Sequence, residues 1–565
     1  MHLLLVLSAS AATWPPGEVI NPGVSVDITA EGFDAVAELV PSLLPAAIEI
    51  PDTSDGYAGV LDQCWLGGYE YSLTNGSAEL TVTSTDITPG AGVLDITANL
   101  MVALNSPSDP FALYTSLECI EDTCYGYVNP FPVDVHTTMR LAVVDDGSGH
   151  RTLDATMGEI DVTYELDGGS DIYLGECTIG SIEEVLNYVG LSIYDLLIGA
   201  LDSTLQDQIA SMGPELESAI EDAFASATIE QDLELNGALV HLMLQPSNVD
   251  ITPASMRLWM EGSFSGEPAD CIAAYDPGGS LRTDSELPEP DQVPTGVGAD
   301  YHAGILVGDD FANSALYALW RGGLLCYALD AASSPIPLDT SILNALTGDV
   351  FAPLFPESQP LELVVRPTLP PEVAYTGAND IGLAINDLDL DFYAGLDGRA
   401  ARIMAVQLDG QAGADLALDG TTGNLAIEVD LAPENFTPSV SYNEIDEAAN
   451  AHVVESFGGL FQTVLDTVAG SLLSDLAFAL PSFSGLGLTE LVVSEAGADK
   501  DWLGVYAWLG PVDYGSGSSC GGCGGDTGGG ADTGGSSCGG GCSTVPTAPW
   551  AAVGFGILWM RRRRG

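Results

Sequence analysis

Hydrophobic positions follow the same succession of patterns twice along the chain. In each copy, a short amphipathic segment precedes a run of alternating polar and apolar positions, which is typical of β-strands. A long segment with apolar residues every three or four positions follows, which is typical of an α-helix, and two further strand patterns close the copy. A unit of about 200 residues that occurs twice indicates a duplicated domain, because solenoid repeats have periods of about 20 to 50 residues.

The predicted elements of the first copy are a strand over Gly23–Thr29, a short helix with Phe33, Val36 and Val40 on one face, strands within about Tyr69–Tyr173, a long helix over Ile182–Ile209, a short helix to Phe224, and strands over Leu233–Leu244 and Met256–Phe264. Those of the second copy are a short helix over Phe311–Trp320, strands within Leu361–Tyr442, a long helix over Ile445–Leu476, and strands over Leu488–Val493 and Trp502–Trp508. The apolar alternation changes phase between Ile385 and Leu388, which predicts a β-bulge near Asn386.

The chain is extremely acidic, and this excludes some partners. It contains 81 Asp and Glu residues against 13 Lys and Arg, and four of these basic residues form the terminal run Arg561–Arg564. Such a surface repels nucleic acids and anionic lipid headgroups, so both are poor primary partners. The charge is interpreted as a source of solubility or salt tolerance, with divalent-cation binding as the alternative.

Both the N-terminus and the cysteines indicate export. Residues 1–12 combine a short apolar run with small residues before a possible cleavage site, the pattern of a secretory signal peptide. Six cysteines precede the tail, and this even number favours disulfides without fixing their connectivity. We favour Cys119 with Cys124 and Cys271 with Cys326. A zinc site is the alternative, but no second cysteine pair or histidine cluster accompanies Cys119 and Cys124.

The C-terminal tail has three parts. Gly515–Cys542 is almost entirely Gly, Ser, Cys, Asp and Thr, a composition typical of a flexible tether. The apolar segment Ala548–Met560 would span about 20 Å as a helix, less than the ~30 Å of a bilayer core. With the terminal arginines, the tail resembles the myxobacterial C-terminal sorting tag, and Cys542 is the candidate processing site nearest the membrane. A plain single-pass anchor is the alternative.

Motifs for covalent chemistry are weak. Two matches to the nucleophile-elbow spacing, Gly517–Gly521 and Gly535–Gly539, lie in the low-complexity tether. The six histidines are scattered, and His241 in a strand pattern is predicted to be structural. Asp387, Asp389 and Asp391 share one face of a predicted strand. We interpret this face as exposed to solvent, and a calcium site is the alternative. We therefore predict no enzyme activity, no cofactor and no metal.

Three segments resemble a known family. Asn21–Thr29 with Glu31–Asp34 is similar to the mature start of bactericidal/permeability-increasing protein, lipopolysaccharide-binding protein and the plasma lipid-transfer proteins. Ala303–Leu325 resembles the start of that family's second domain, and Asp232–Phe264 resembles the closing strands of its first. The likeness extends in order from about Asn21 to Leu509.

The resemblance implies an α+β fold with two tandem tubular barrels in a boomerang shape, joined by a central sheet. Each barrel would be a curved antiparallel sheet wrapped on a long amphipathic helix, with a pocket for acyl chains. The expected divisions are a signal peptide (1–12), a first lipid-binding barrel (21–266), a linker (267–299), a second lipid-binding barrel (300–510), a tether (511–543) and a short apolar sorting helix with its arginine cluster (544–565).

The candidate lipid-pocket residues are Phe33, Val36, Val40, Leu186, Val189 and Leu197 in the first barrel, and Phe311, Leu316, Leu319, Phe457, Leu460, Phe461 and Val464 in the second. Without the resemblance, such apolar stripes are ordinary core filled by their own sheet. The family's antibacterial members use a basic tip to bind lipopolysaccharide, and this chain has no Lys/Arg cluster before Arg561. Binding of endotoxin through charge is therefore not expected.

The resulting hypothesis is a secreted or surface-delivered protein of the bacterial outer membrane. It would bind phospholipid-like molecules, with transfer between surfaces as a further expectation, and its tail would contact the membrane or the sorting machinery. Two alternatives remain: a surface structural or adhesion protein with filled pockets, and an acidic hydrolase with carboxylates that the sequence does not single out.

Overall fold

Antiparallel sheets with few helices make up the protein. The computed structural model describes residues 13–38, 47–50, 52–57, 69–117, 120–166, 171–175, 206, 214, 228–235, 238–283, 286–290, 292–298, 300–330, 338–396, 398–419, 424–458, 461, 478–479 and 486–511. The strands are β1 (Thr13–Trp14), β2 (Ile20–Thr29), β3 (Ala47–Ile50), β4 (Thr53–Tyr57), β5 (Tyr69–Thr74), β6 (Gly76–Pro89), β7 (Leu94–Leu104), β8 (Phe111–Leu117), β9 (Ile120–Asp145), β10 (Arg151–Met157), β11 (Asp161–Tyr164), β12 (Ile172–Gly175), β13 (Ile229–Leu235), β14 (Ala238–Thr252), β15 (Ser255–Ser265), β16 (Ser280–Leu281), β17 (Ala303–Gly308), β18 (Tyr327–Leu329), β19 (Leu361–Pro367), β20 (Glu372–Ala374), β21 (Ile381–Leu396), β22 (Arg399–Asp419), β23 (Asn424–Asp430), β24 (Phe436–Tyr442), β25 (Phe478–Ala479), β26 (Leu486–Ala496) and β27 (Trp502–Pro511). The helices are α1 (Ala30–Ala37), α2 (Asp309–Arg321), α3 (Thr340–Thr347) and α4 (450–458), with 3-10 turns at Pro433–Asn435 and Glu447–Ala449.

A central sheet combines strands from both halves of the chain. Its order is β13-β14-β15-β2-β17-β27-β26, and all neighbours are antiparallel. The first strand of each half, β2 or β17, lies in the middle and leads directly into a short helix, α1 or α2. The closing strands of each half lie outside these two. The sheet therefore displays the repeat expected from the sequence.

Each half also contributes an outer sheet organised around one very long strand. In the first half, β9 has 26 residues and pairs with β8 and then β7 along one edge, and with β12, β11 and β10 in succession along the other. In the second half, the 21-residue β22 pairs with β21 on one edge and with β24 and β23 on the other. Strands of this length curl, and bulges in β6–β7, β7–β9 and β21–β22 supply local bends.

Several elements predicted from the sequence are confirmed. Strand β2, helix α2 and the strands between Leu361 and Tyr442 occupy the predicted positions. The pairing of β21 with β22 shifts register between Ile385 and Leu388, so the bulge predicted near Asn386 is present. Asp387, inside this bulge, has a positive φ of 52°.

Two predicted elements need correction. The single strand expected over Leu233–Leu244 is two strands, because the chain reverses between Leu235 and Ala238, which pair with each other. The intervening sequence is Asn-Gly, a strong hairpin signal. Ile445 does not belong to the last long helix: it precedes Asp446, whose side chain caps the first turn by accepting from the Ala448 N–H.

The long-helix prediction lies mostly outside the described residues. This applies to Ile182–Ile209 apart from Gln206, and to the second helix after residue 458 apart from Phe461. The signal peptide and the tail from residue 512 onwards also lie outside them. In the described part, no helix is long and apolar enough to cross a membrane. The closed barrels, the boomerang outline and the domain limits stay predictions.

One face of the central sheet carries a buried ion pair. Asp27 on β2 lies opposite Arg257 on β15, and the guanidinium binds the carboxylate through Nε and Nη2, each at 2.6 Å. Arg257 Nη1 also donates to the Pro288 carbonyl oxygen at 2.6 Å. The Asp27 and Arg257 side chains are only 3% and 7% exposed. The ion pair therefore fixes the segment around Pro288 against the sheet.

The same segment between the halves is held at a second place. Cys271 and Cys326 form the disulfide expected from the sequence. Asp276 accepts hydrogen bonds from the Tyr317 hydroxyl at 2.5 Å and from Arg321 Nε at 2.8 Å, both on α2. Burial opposes these bonds, but with the charge of Arg321 they lower the pKa of Asp276. The chain between the halves is thus bonded to the start of the second half.

Loss of one partner of the buried ion pair should be costly. We expect Asp27→Ala to lower the free energy of unfolding by about 3 to 5 kcal/mol, because Arg257 then remains buried without a counterion. The matched control is Glu495→Ala, which removes an ion pair with the half-exposed Lys500 and should cost at most about 1 kcal/mol. Urea unfolding at neutral pH measures both, and equal losses in the two variants would contradict the prediction.

The strands also predict a partner for Cys124, which is disulfide-bonded. Cys119 lies outside the described residues, but Ile120 and Cys124 are both in extended β9, so their Cα atoms are about 13 Å apart. A disulfide needs Cα atoms within about 7 Å, which disfavours the pairing with Cys119. Gly175 pairs with Tyr125, next to Cys124. Because Cys177 follows Gly175 by two residues, we expect a Cys124–Cys177 bond.

Non-reducing peptide mapping tests this pairing. A protease that cleaves at acidic residues suits the chain, because Glu121 and Asp122 separate Cys119 from Cys124. A mass corresponding to linked Cys124 and Cys177 peptides is expected. Linkage of Cys124 to Cys119 or Cys64 would refute the prediction.

Candidate functional site

The inner face of the first outer sheet is a continuous apolar surface. Its buried members alternate along the strands with more exposed residues on the outer face. They are Ile50, Leu73, Ala78, Leu80, Leu100, Val102, Leu104, Phe111, Leu113, Cys124, Val128, Phe131, Val133 and Ile172. All are 9% exposed or less. Farther along β9, Leu141 and Val143 continue the apolar surface to the central sheet, where they pack with residues of β14 and β15.

The second outer sheet has an equivalent face that α3 and α4 partly cover. Leu390 and Phe392 on β21 pack with Val406 and Leu408 on β22. From α4, Val453 and Phe457 reach the same cluster, and both are almost completely buried. The Phe461 ring continues this helical stripe, 5.8 Å from the Phe457 ring and 4.9 Å from the Phe436 ring between centroids. This surface is the best candidate for an apolar ligand site in the described second half.

Helix α2 is anchored to the central sheet by Phe311. Its ring occupies a pit left by two glycines on adjacent strands: a Cβ atom at Gly23 would lie 2.7 Å from the ring, and one at Gly262 would lie 2.6 Å from it. Phe264 packs beside it, with ring centroids 4.9 Å apart. Any side chain at either glycine would displace the ring, so these strands require glycine for the close approach of α2.

The structure separates the candidate pocket residues that it describes. Phe33 lies in a cluster with Ile28, Leu94 and Met139, and Val36 is half-buried. Phe311 and Leu319 lie with strands of the first half, whereas Leu316 lies with β26 and β27. Phe457 and Phe461 share the cluster of the second outer sheet. The residues outside the described part are Val40, Leu186, Val189, Leu197, Leu460 and Val464.

The three aspartates of β21 do not form a solvated face. Asp391 is fully buried and accepts from Arg366 Nε at 2.5 Å and from Arg402 Nη2 at 2.5 Å. Asp389 lies 3.5 Å from Arg366, and burial raises its pKa while the arginine opposes the rise. Two of the scarce basic residues thus neutralise one buried carboxylate. Sequence reasoning missed this ion-pair network because both partners come from neighbouring strands.

A second group of carboxylates lies at the start of α2. Asp309 and Asp310 are both buried, and the Thr283 hydroxyl lies within hydrogen-bond distance of both carboxylates, 2.9 Å from Asp309 and 3.0 Å from Asp310. Burial raises the pKa of Asp309 to about 6, the hydrogen bond from Thr283 opposes the rise, and the charges of Asp310 and Asp501 add to it. Near neutral pH, the carboxylates of Asp309, Asp310 and Asp501 therefore repel one another where α2, β27 and the chain between the halves meet.

Groups suited to catalysis or metal binding are sparse in the described part. His241 Nδ1 contacts Asp232 at 2.9 Å on the surface of β13 and β14, a structural contact as expected. Within the described ranges, no group of three or more His, Cys, Asp or Glu side chains is arranged to hold a metal ion. The two elbow-like motifs and Cys542 lie outside these ranges.

Comparison with known proteins identifies the fold. No protein-family model matches the chain, and no curated protein matches it in sequence. The crystal structure of lipopolysaccharide-binding protein is similar, with a TM-score of 0.50 and 14% identity, over 87% of this chain and 100% of that one. P47 from Clostridium botulinum A2 matches with a TM-score of 0.26 and 9% identity, over 86% of this chain and 97% of its own. Takeout 1 from Epiphyas postvittana matches with a TM-score of 0.20 and 10% identity, over 34% of this chain and 94% of its own.

The first of these similarities establishes the fold class. The protein has the mostly antiparallel, curled-sheet fold of the bactericidal/permeability-increasing protein type. This confirms the antiparallel, curled-sheet class that the resemblance implied, whereas the two tubular barrels on long helices and the boomerang shape stay predictions.

The carboxylates at the start of α2 predict a pH dependence. The Asp309 pKa is raised from 3.8 to about 6 on folding, so the native state binds more protons between these values. The contribution of Asp309 to stability should therefore rise as the pH falls from about 7 to about 4 and should be constant above about pH 7. Comparison of urea midpoints with those of Asp309→Asn isolates this contribution, and parallel pH profiles for the two proteins would contradict it.

Proposed function

We propose that the protein binds lipids with acyl chains, of the phospholipid type, in apolar pockets beneath its outer sheets, and that it transfers them between surfaces. The observation that carries this proposal is the pair of continuous apolar inner faces on long curled strands. The fold supports it, since a structural neighbour with the same fold is named for binding lipopolysaccharide.

The physical basis is the cost of exposing hydrocarbon to water. At about 0.8 kcal/mol per methylene, two acyl chains of about 14 methylenes each cost roughly 20 kcal/mol to expose. A carrier must therefore surround nearly all of both chains. Curled sheets with apolar inner faces provide such surroundings and need no charged side chains to bind the lipid. This suits a chain in which the first Lys or Arg is Arg140.

We further propose that the protein acts outside the cytoplasm, at the bacterial cell surface or after secretion. The Cys271–Cys326 disulfide supports an oxidising compartment. In this proposal, residues 1–12 direct export, and the tail, with Cys542, directs attachment or release through sorting machinery.

Lipid carriage is tested by organic extraction and native mass spectrometry of the purified protein. Co-purifying acyl lipid and saturable uptake of a fluorescent fatty acid are expected. Protein that purifies without bound lipid and takes up no fluorescent fatty acid would favour a structural role. Turnover of ester or glycoside substrates that a single Asp or Glu substitution abolishes would favour a hydrolase.

A charge on the apolar stripe of the second half should weaken uptake. We expect Phe461→Glu to reduce fluorescent fatty acid binding in that half by at least about tenfold, because an ionised carboxylate is costly to bury beside hydrocarbon. The matched control is Val454→Glu, on the same helical stretch but 42% exposed in the native protein. Equal binding by both variants would exclude the stripe from the pocket.

A further inference from the structure

Three tyrosines form an exposed aromatic surface on the outside of the first outer sheet. Tyr173 on β12 lies directly opposite Tyr127 on β9, and Tyr125 lies two residues away on the same outer face. The Tyr127 and Tyr173 rings are stacked, with centroids 4.9 Å apart and planes at 26°. Tyr125 and Tyr173 are 43% and 54% exposed. We call these three residues the tyrosine ledge.

The ledge is built into the strands. A Cβ atom at Gly175, opposite Tyr125, would lie 3.0 Å from the Tyr173 ring, so the absence of a side chain there lets the ring lie across the strand. On the opposite face of the same strands, Cys124, Val128 and Ile172 belong to the buried apolar cluster. The rings therefore project from a rigid support whose other face lines the candidate pocket.

The ledge is distant from the central sheet. Fourteen residues of β9 separate Tyr127 from Leu141, which packs near the central sheet. At about 3.3 Å per residue, this corresponds to roughly 45 Å along the curled strand. The ledge thus lies at the outer end of the first half.

The charge distribution restricts what the ledge can contact. No Lys or Arg precedes Arg140 in the chain, and β9 carries Glu121 about 13 Å along the strand before Tyr125 and Asp134 about 23 Å after Tyr127. An anionic bilayer or a second copy of this acidic chain is repelled. Tyrosine has an apolar body and a polar tip, which suits the headgroup level of a bilayer. The cationic amine of a zwitterionic headgroup is attracted both to aromatic faces and to nearby carboxylates.

From this arrangement we propose that the tyrosine ledge docks the protein on zwitterionic lipid surfaces. The inference rests on the proposed function in that it names the surface with which the lipid-binding protein exchanges its ligand. Docking brings the outer end of the first half, with its apolar inner face, against the bilayer.

Vesicle flotation with the full chain tests the ledge. We expect the protein to float with phosphatidylcholine vesicles, and Tyr125→Ser/Tyr173→Ser to lower the partition coefficient by at least about tenfold. Tyr125→Trp/Tyr173→Trp should restore binding. Leu239→Ser, at an apolar position that is 58% exposed on β14, is the control and should float as the wild type does.

A second arm separates the ledge from the basic C-terminus. Adding phosphatidylserine should weaken docking through the ledge, whereas attachment through Arg561–Arg564 would become stronger. A serine variant that floats like the wild type overturns the proposal, as does equal loss in the Leu239 control. A changed sedimentation coefficient with unchanged flotation also overturns it, in favour of contact with a second copy.

Failure of docking is distinguishable from failure of lipid binding. Uptake of fluorescent fatty acid without vesicles reports on the pockets alone and should be equal in the wild type and the serine variant. If fatty acid uptake is normal and the wild type and the serine variant float equally well, only the docking surface is refuted. No uptake and no co-purifying lipid in the wild type would refute the proposed function.

Discussion

The antiparallel pairing of β2 with β17 is the interaction on which the rest of the structure depends. It joins the first strands of the two halves, with Val26 opposite Ile305. Because each strand leads directly into a short helix, the pairing also determines where α1 and α2 lie. Helix α2 consequently packs on strands of the first half although it belongs to the second in sequence. The halves therefore share one hydrogen-bonded sheet.

Scarce positive charge is concentrated where the fold buries carboxylates. Basic residues that form ion pairs with carboxylates in the described ranges include Arg151, Arg257, Arg321, Arg366, Arg402 and Lys500. Arg257 neutralises Asp27 within the central sheet, and Arg366 and Arg402 together neutralise Asp391. The chain has a formal net charge of −68. A buried carboxylate without a counterion would therefore be destabilised twice, by the loss of its hydration and by repulsion from the other negative charges. These arginines therefore act mainly in the architecture, and the described buried members of the two inner faces are apolar.

Local patterns predicted much of the fold, because burial of one strand face or helix stripe is a local property. The bulge near Asn386 and the limits of α2 were accessible in this way. The network around Asp391 was not, because Arg366 and Arg402 reach it through strand register, which periodicity does not reveal. The same limit explains why Phe311 was grouped with Phe457 in the sequence, although the structure places them in different clusters. The apolar faces of the candidate site were thus predictable, but their assembly was not.

The position of β27 has a consequence for any attachment through the tail. This strand is the last in the described chain, ends at Pro511, and lies between β17 and β26 in the shared sheet. Any attachment through the residues after Pro511 would therefore act on the sheet that the two halves share, and not on either outer sheet. A pulling force on the tail would load the hydrogen bonds of β27 with β17 and β26 first.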